Sequence, residues 1–247
     1  MGRVSGKVAI VTGAARGLGE AHARRLIDEG AQVMLTDVSD AEGEATAKAL
    51  GANARFLHHD VSSEADWQRI VAETEKAFGP VSVLVNNAGI VISEPLEGLT
   101  EANYRRQVDV NQVGVFLGMK SVIESMKRAG GGSIINLSSI AGLIGVPMTF
   151  AYTASKFAVR GMSKAGAVEL APYNIRVNSV HPGVFRTQMN VSTPEVEKFA
   201  TAIAESMPAG RMGDPDEVAN VVLLLASDES RFSTGAEFVV DGGWTCK

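Results

Sequence analysis

Short runs dominated by apolar and often β-branched residues are spread along the whole chain, with helix-like stretches between them. The runs are Lys7–Thr12 (KVAIVT), Ala31–Asp37 (AQVMLTD), Ala54–His59 (ARFLHH), Val81–Asn86 (VSVLVN), Ser133–Ser138 (SIINLS), Ile175–Val180 (IRVNSV) and Glu237–Asp241 (EFVVD). Several are apolar at consecutive positions instead of every second one, the pattern of strands covered on both faces. Helical patterns occupy Gly19–Glu29, Glu64–Phe78, Glu101–Arg128 and Ala154–Leu170. Alternation of this kind predicts an α/β fold, a doubly wound parallel sheet flanked by helices. No repeat, low-complexity tract or Pro/Ser-rich linker divides the 247 residues, so they are expected to form a single domain over 1–247. The segment 184–210 is the least regular and carries Pro194 and Pro208, which marks it as a loop or small helical lid over a substrate site. Asp214-Pro-Asp-Glu217 reads as a helix start, with an N-cap, a first-turn proline and a capping-box acid.

Charge and composition exclude several classes. The formal net charge of −5 offers no broad basic surface, so no nucleic-acid partner is expected. No apolar run approaches the ~20 residues of a membrane span, and the start MGRVSGKVAIVTG has no signal-peptide core; no membrane association and a cytoplasmic location are expected. A single cysteine, Cys246, allows neither an intrachain disulfide nor a thiolate metal cluster. His58 and His59 are adjacent and so face different directions, which suits surface or packing roles better than a shared metal.

The run KVAIVT leads directly into Gly13-Ala-Ala-Arg16-Gly17-Leu18-Gly19 and then into a helical pattern. Glycines let the backbone turn tightly against a pyrophosphate, and the positive end of the following helix favours its charge. Asp37 closes the second strand candidate, 18 residues past Gly19, where a carboxylate can accept hydrogen bonds from an adenosine ribose. A 2′-phosphate beside that carboxylate would meet repulsion on the order of 4 kcal/mol per charge pair at ~4 Å and an effective dielectric near ~20. NAD is therefore expected over NADP, with Arg16 able to offset part of the difference.

Tyr152 and Lys156 stand four residues apart in a helical stretch, which puts them on one face one turn apart. A neighbouring cation favours phenolate, so the pair can move a proton onto or off a carbonyl or alcohol oxygen. Ser138-Ser139 ends SIINLS at the carboxyl edge of the predicted sheet, where ligands of open α/β folds bind.

These residues, in this order, resemble the short-chain dehydrogenase/reductase family over essentially the full length. The matching motifs are Thr12-Gly13-x-x-x-Gly17-x-Gly19, Asp60-Val61, Asn86-Asn87-Ala88-Gly89, Asn111, Ser139, Tyr152-x-x-x-Lys156, Pro182-Gly183 and Val240-Asp241-Gly242-Gly243. The resemblance implies a Rossmann-like sheet of about seven parallel strands, commonly assembled as a homotetramer through long helices, and chemistry without a metal. It implies that Tyr152 is the general acid/base, that Lys156 lowers its pKa and holds the nicotinamide ribose, and that Ser139 polarises the substrate oxygen. Asn111 would help to hold a proton path to the lysine. Asp60 and Val61 would flank adenine, Asn87-Ala88-Gly89 would support the adenosine side, and Val184 and Thr187 after Pro182-Gly183 would meet the carboxamide.

Leu143, Ile144, Val146 and Met148 before the tyrosine, with Val184, Phe185 and Met189 after it, would make an apolar pocket suited to a lipophilic ketone or secondary alcohol. The stretch HHDVSSEADW and His181 in NSVHPG resemble the branch acting on hydroxysteroids and similar cyclic alcohols, although His181 reads more simply as a packed residue. The main rival is a 3-oxoacyl-carrier-protein reductase, expected to use NADPH and to dock an acidic carrier on a basic patch. Asp37 opposes the first requirement, and Glu195, Glu197 and Glu205 oppose the second. A nucleotide-sensing regulator without activity would lack part of the set Asn111, Ser139, Tyr152 and Lys156, all of which are present.

Overall fold

Every strand lies parallel to its neighbours in one seven-stranded sheet in the computed structural model, which describes residues 2–246. The chain runs β1 (Val8–Thr12), α1 (Gly17–Asp28), β2 (Gln32–Asp37), α2 (Asp40–Leu50), β3 (Ala54–His58), α3 (Glu64–Phe78) and β4 (Val83–Asn86). It continues through α4 (Glu101–Val108), α5 (Gly114–Arg128), β5 (Gly132–Leu137), α6 (Phe150–Leu170) and β6 (Ile175–Pro182). It ends with α7 (Gln188–Val191), α8 (Pro194–Ser206), α9 (Pro215–Ala226) and β7 (Glu237–Val240). The strand order is β3-β2-β1-β4-β5-β6-β7. Chain direction across the sheet therefore reverses between β1 and β4, the place where crossovers diverge and a crevice opens at the carboxyl ends.

Consecutive apolar residues in each strand serve the two faces alternately. Ala9, Val11, Val33, Leu35, Val83, Val85 and Ile135 pack with α1 and α9 through Ala23, Leu26, Val218 and Val222. Ile10, Met34, Leu84, Ile134 and Val177 pack with α3, α5 and α6 through Trp67, Ile70, Val115, Val122 and Val159. A polar thread crosses the second face: Asn86 Nδ2 donates to Asn136 Oδ1 at 2.8 Å, and Asn136 Nδ2 to Ser163 Oγ at 2.9 Å. Both amides are buried, and partnering avoids the cost of about 1–3 kcal/mol for each orphaned group.

Three differences from the expected elements have local causes. The stretch Asp40–Leu50 is helical although its small and charged residues give only a weak apolar stripe; Ala47 anchors it to the core. The expected single helix 101–128 is interrupted by a π-helical turn, Asp109–Val113, a wide turn that recurs at functional sites. Helix α6 starts at Phe150, four residues before the expected Ala154, so Tyr152 lies in its first turn. The irregular segment 184–210, expected as a loop or small helical lid, carries α7 and α8. Pro194 sits in the first turn of α8, where its missing N–H costs nothing, and Thr193 caps that helix by accepting from Val196 N at 3.3 Å. The expected capping box at Asp214–Glu217 is formed, with Asp214 N donating to Glu217 Oε2 at 2.8 Å. Among the described residues, no helix is long and apolar enough to cross a membrane.

Candidate active site

A cleft of about 960 Å³ opens over the carboxyl ends of β1, β2, β4 and β5. Gly13 and Gly17 in the first turn have φ of 64° and 63°, the left-handed region that an L side chain adopts at a cost. A Cβ at Gly13 would stand 2.8 Å from Ala88 Cα, and one at Gly19 would stand 2.1 Å from the Gly13 carbonyl oxygen. The close approach of the turn to the loop after β4 therefore requires glycine at both positions. Thr12 Oγ1 fastens that loop by accepting from Asn87 N and Ala88 N, both at 3.0 Å. Asn87 Nδ2 returns the contact by donating to the carbonyls of Thr12 and Gly13 at 2.9 and 3.0 Å. Gly17, Leu18 and Gly19 at the start of α1 line the cleft, and the first N–H groups of a helix have no intrahelical partner, a setting suited to a pyrophosphate.

Asp37 stands on the cleft wall at the end of β2, where its carboxylate accepts from Ala15 N at 3.2 Å and Ser39 N at 3.0 Å. Arg16 also lines the cleft, but its guanidinium is paired with Glu42 at 2.5 Å. Asp60 and Val61 lie at the same end. Asp60 Oδ1 accepts from Ser62 N at 2.9 Å, and Val61 is buried beside Gly114. The neighbouring histidines diverge as expected: His58 pairs with Asp40 at the surface at 2.8 Å, while His59 is buried edge-on against Trp67 with ring centroids 4.4 Å apart. Among the described residues, no group of three or more His, Cys, Asp or Glu side chains is arranged to hold a metal ion.

At the other end of the cleft β5 delivers two serines with different tasks. Ser138 Oγ donates to the Lys156 carbonyl at 2.9 Å and ties the strand to α6. Ser139, in extended conformation, caps the 3-10 turn Ile140–Gly142 by accepting from Ala141 N at 3.1 Å, and its hydroxyl is near enough to the Tyr152 phenol to favour the ionised form. Lys156 is 4% exposed; its ammonium donates to the Leu137 carbonyl at 2.8 Å and lies 5.5 Å from the centroid of the Tyr152 ring. Burial lowers the lysine pKa to about 8. Burial also raises that of the Tyr152 phenol, opposed only by the Ser139 hydroxyl. Against the expectation that Lys156 lowers the phenol, desolvation sets the direction of its shift, and Tyr152 is held protonated at neutral pH.

Asn111 is fully buried in the π-helical turn. Its side chain closes a two-way contact with one backbone unit, accepting from Ile90 N and donating to the Ile90 carbonyl, both at 2.8 Å, with a third contact to Ser155 Oγ at 3.3 Å. Gly89 is wedged above it: a Cβ there would meet Asn111 Oδ1 at 3.3 Å and Lys156 Nζ at 3.5 Å. Ser139, Tyr152, Lys156, Pro182, Gly183 and Thr187 thus share one cleft with Gly13, Gly17, Leu18, Gly19, Asp37, Asn87, Ala88 and Gly89.

Two groups of expected site residues fall elsewhere. Val184 packs its side chain under α8 with Ala200, Ala204, Met207 and Met212, and its carbonyl accepts from Gly213 N at 2.9 Å. Of the seven apolar residues expected around the substrate, Phe185 and Met189 line the cleft, whereas Leu143, Ile144, Val146 and Met148 do not. Those four lie on the loop between the 3-10 turn and α6, whose course is set by the Glu94 to Met148 backbone contact at 2.9 Å. Ile90 and Val91, not foreseen as lining residues, take part of their place. Their position just past the carboxyl end of β4 was the available signal.

Comparison with known proteins agrees with this geometry. A family model described as enoyl-(acyl carrier protein) reductase matches residues 13–245. The chain is 51% identical over 242 residues to a 3-alpha-(or 20-beta)-hydroxysteroid dehydrogenase of Mycobacterium tuberculosis, covering 98% of this chain and 90% of that protein. It is 46% identical to an NADP-dependent (R)-specific alcohol dehydrogenase of Lentilactobacillus kefiri, covering 99% of each. It is 45% identical to a cyclopentanol dehydrogenase of Comamonas testosteroni, again over 99% of each. A glycine cradle, a Tyr-Lys pair one helical turn apart in the same cleft and a match spanning nearly all of the sequence lead to one conclusion: the chain belongs to the short-chain dehydrogenase/reductase family.

Proposed function

We propose that the protein is an NAD-dependent oxidoreductase that interconverts a lipophilic secondary alcohol, a hydroxysteroid or similar cyclic alcohol, with its ketone. The observation that carries the reading is the convergence of Ser139, Tyr152 and Lys156 at one end of a cleft whose other end is the glycine cradle. Relatives named for hydroxysteroids and for cyclopentanol support the substrate class. A bound nicotinamide cofactor supplies or accepts the hydride.

The protein's own groups handle the proton. In ketone reduction the phenol of Tyr152, kept protonated by burial, donates to the carbonyl oxygen, and Ser139 Oγ hydrogen-bonds the same oxygen. The Lys156 ammonium then faces a phenolate and stabilises it, and one turn of α6 fixes the distance between the two. Alcohol oxidation runs the same transfers in reverse. Lys156 also holds the nicotinamide ribose, and Asn111, locked to Ile90, keeps the wide turn beside the lysine open as a path for protons.

For the cofactor, Gly13, Arg16, Gly17, Leu18 and Gly19 receive the pyrophosphate, Asp60 and Val61 flank adenine, and Asn87-Ala88-Gly89 support the adenosine. Pro182, Gly183, Val184 and Thr187 meet the carboxamide, Val184 through its backbone. The preference for NAD is supported by the Asp37 carboxylate on the cleft wall at the end of β2, whose charge would repel a 2′-phosphate, and by Glu42, which already engages Arg16. The helices α7 and α8 form the lid of the single domain; Arg186 is paired with Glu197 of α8 at 3.3 Å. A homotetramer built through α5 and α6 is supported by Phe116, Phe157 and Val168, which expose 49%, 40% and 78% of their surface on those helices. The enzyme works as a cytoplasmic protein without a metal.

A spectrophotometric screen tests the reading, offering NADH and NADPH against steroid ketones, cyclohexanone and a β-ketoacyl thioester. Reduction of the first two with NADH is expected. Rapid NADPH-dependent reduction of the thioester alone would make the protein a 3-oxoacyl-carrier-protein reductase instead.

A further inference from the structure

His181 is a fully buried imidazole near the end of β6 that the proton-handling scheme does not use. Its Nδ1 lies 3.0 Å from the backbone carbonyl oxygen of Ser139, and its Nε2 lies 2.9 Å from Ser179 Oγ. A carbonyl oxygen only accepts, so Nδ1 carries the proton; Nε2 is then the acceptor and Ser179 the donor. Both ring nitrogens are satisfied and the tautomer is fixed. Burial lowers the pKa of the ring and keeps it neutral.

The contact falls where the sheet stops holding the strand. Leu137 to Val180 is the last register pair of β5 and β6, and Ser138 N still donates to the Val180 carbonyl at 2.8 Å. The carbonyl of Ser139, two residues past the end of β5, has left the ladder; it accepts from Gly142 N at 2.8 Å within the 3-10 turn and from the His181 side chain as its second donor. From the other side Ala141 N donates to Ser139 Oγ at 3.1 Å. The peptide unit of Ser139 is thus clamped at its carbonyl and at its hydroxyl, which leaves the hydroxyl aimed at Tyr152.

We propose that His181 is a positioning residue for Ser139, setting the direction of the serine hydroxyl through the serine's own carbonyl. The proposal rests on the reading that Ser139 engages the substrate oxygen. Without His181 the carbonyl is held only by Gly142 N of its own turn, so the turn is no longer tied to β6 and Oγ shifts relative to the reacting oxygen, a displacement that costs turnover more than binding.

The test is a double-mutant cycle with cyclohexanone and NADH as the probe pair, or the fastest ketone of the screen above. Measurements are kcat, KM and the Kd for NADH by fluorescence quenching. His181→Leu is expected to lower kcat by about 10-fold to 100-fold with Kd for NADH unchanged. In a Ser139→Ala background the same change is expected to cost less than about threefold, because the hydroxyl it aims is gone. His181→Asn, whose amide N–H reaches the place of Nδ1, should restore most of the turnover, and His181→Gln, whose amide extends toward Ser179, should not. Should the leucine variant fail to fold, the Asn and Gln pair carries the comparison alone. Equal losses from His181→Leu in both backgrounds, or equal activity of the Asn and Gln variants, would overturn the proposal. Unchanged kcat in Ser139→Ala alone would overturn the underlying reading of Ser139, and the positioning role with it.

Discussion

His22 gives the account a test on stability, independent of any substrate. It sits on the buried face of α1, is 0% exposed, and neither ring nitrogen has a hydrogen-bond partner among the described residues. Burial pushes its pKa from 6.5 to about 3, so the native protein holds it neutral while the unfolded chain takes up a proton near pH 6.5. The unfolded state binds more protons between those values, and stability therefore rises with pH across that window. The contribution is complete above about pH 6.5, declines as pH falls, and is gone near pH 3. At ~1.4 kcal/mol per tenfold change the full window amounts to about 5 kcal/mol, of which about 2 kcal/mol is lost between roughly pH 7.5 and pH 5. His22→Leu, of similar volume, removes the titration. It also removes the buried unpartnered polar atoms, a gain on the order of 1 kcal/mol at neutral pH. Urea unfolding of parent and variant at the two pH values measures both quantities. The parent should lose about 2 kcal/mol more than the variant on acidification. The same acid dependence in the two proteins would refute the reasoning. His59, pushed to about 4 by burial, contributes in the same direction and remains in both.

Gly19→Ala puts a Cβ 2.1 Å from the Gly13 carbonyl oxygen and 2.6 Å from Asn87 Nδ2, so the cradle must open; NADH binding should weaken at least about tenfold, by titration calorimetry. Asp37→Ala removes the charge that repels a 2′-phosphate and should narrow the ratio of kcat/KM for NADH over NADPH by about tenfold or more, measured with one ketone. An unchanged ratio would remove the cofactor argument.

Much of the site is legible in the sequence because its determinants are local. Gly13, Gly17 and Gly19 follow a strand at the spacing a phosphate cradle needs, and Tyr152 and Lys156 share a helix face whatever surrounds the helix. The sheet is legible for a similar reason, since runs such as KVAIVT place residues on both faces and so require two helical layers. What is not legible depends on partners far away in the chain. The wide turn at Asn111 rests on its contact with Ile90, 21 residues earlier, and no periodicity in 101–128 announces it. Leu143 to Met148 lie off the cleft because they follow a loop joined to Glu94, while Ile90 and Val91 reach the cleft from the carboxyl end of β4. The sign of the tyrosine shift was likewise a tertiary matter. A cation four residues away favours phenolate, but the burial that surrounds the ring opposes it and prevails.

The central claim is that Tyr152 passes the proton that accompanies the hydride, and Tyr152→Phe tests it most directly by keeping the ring and deleting the hydroxyl. With NADH and the fastest ketone of the screen, turnover should fall by at least about 100-fold. Fluorescence titration should show NADH binding within about threefold of the parent. Turnover close to that of the parent, with NADH bound equally well, would contradict the account.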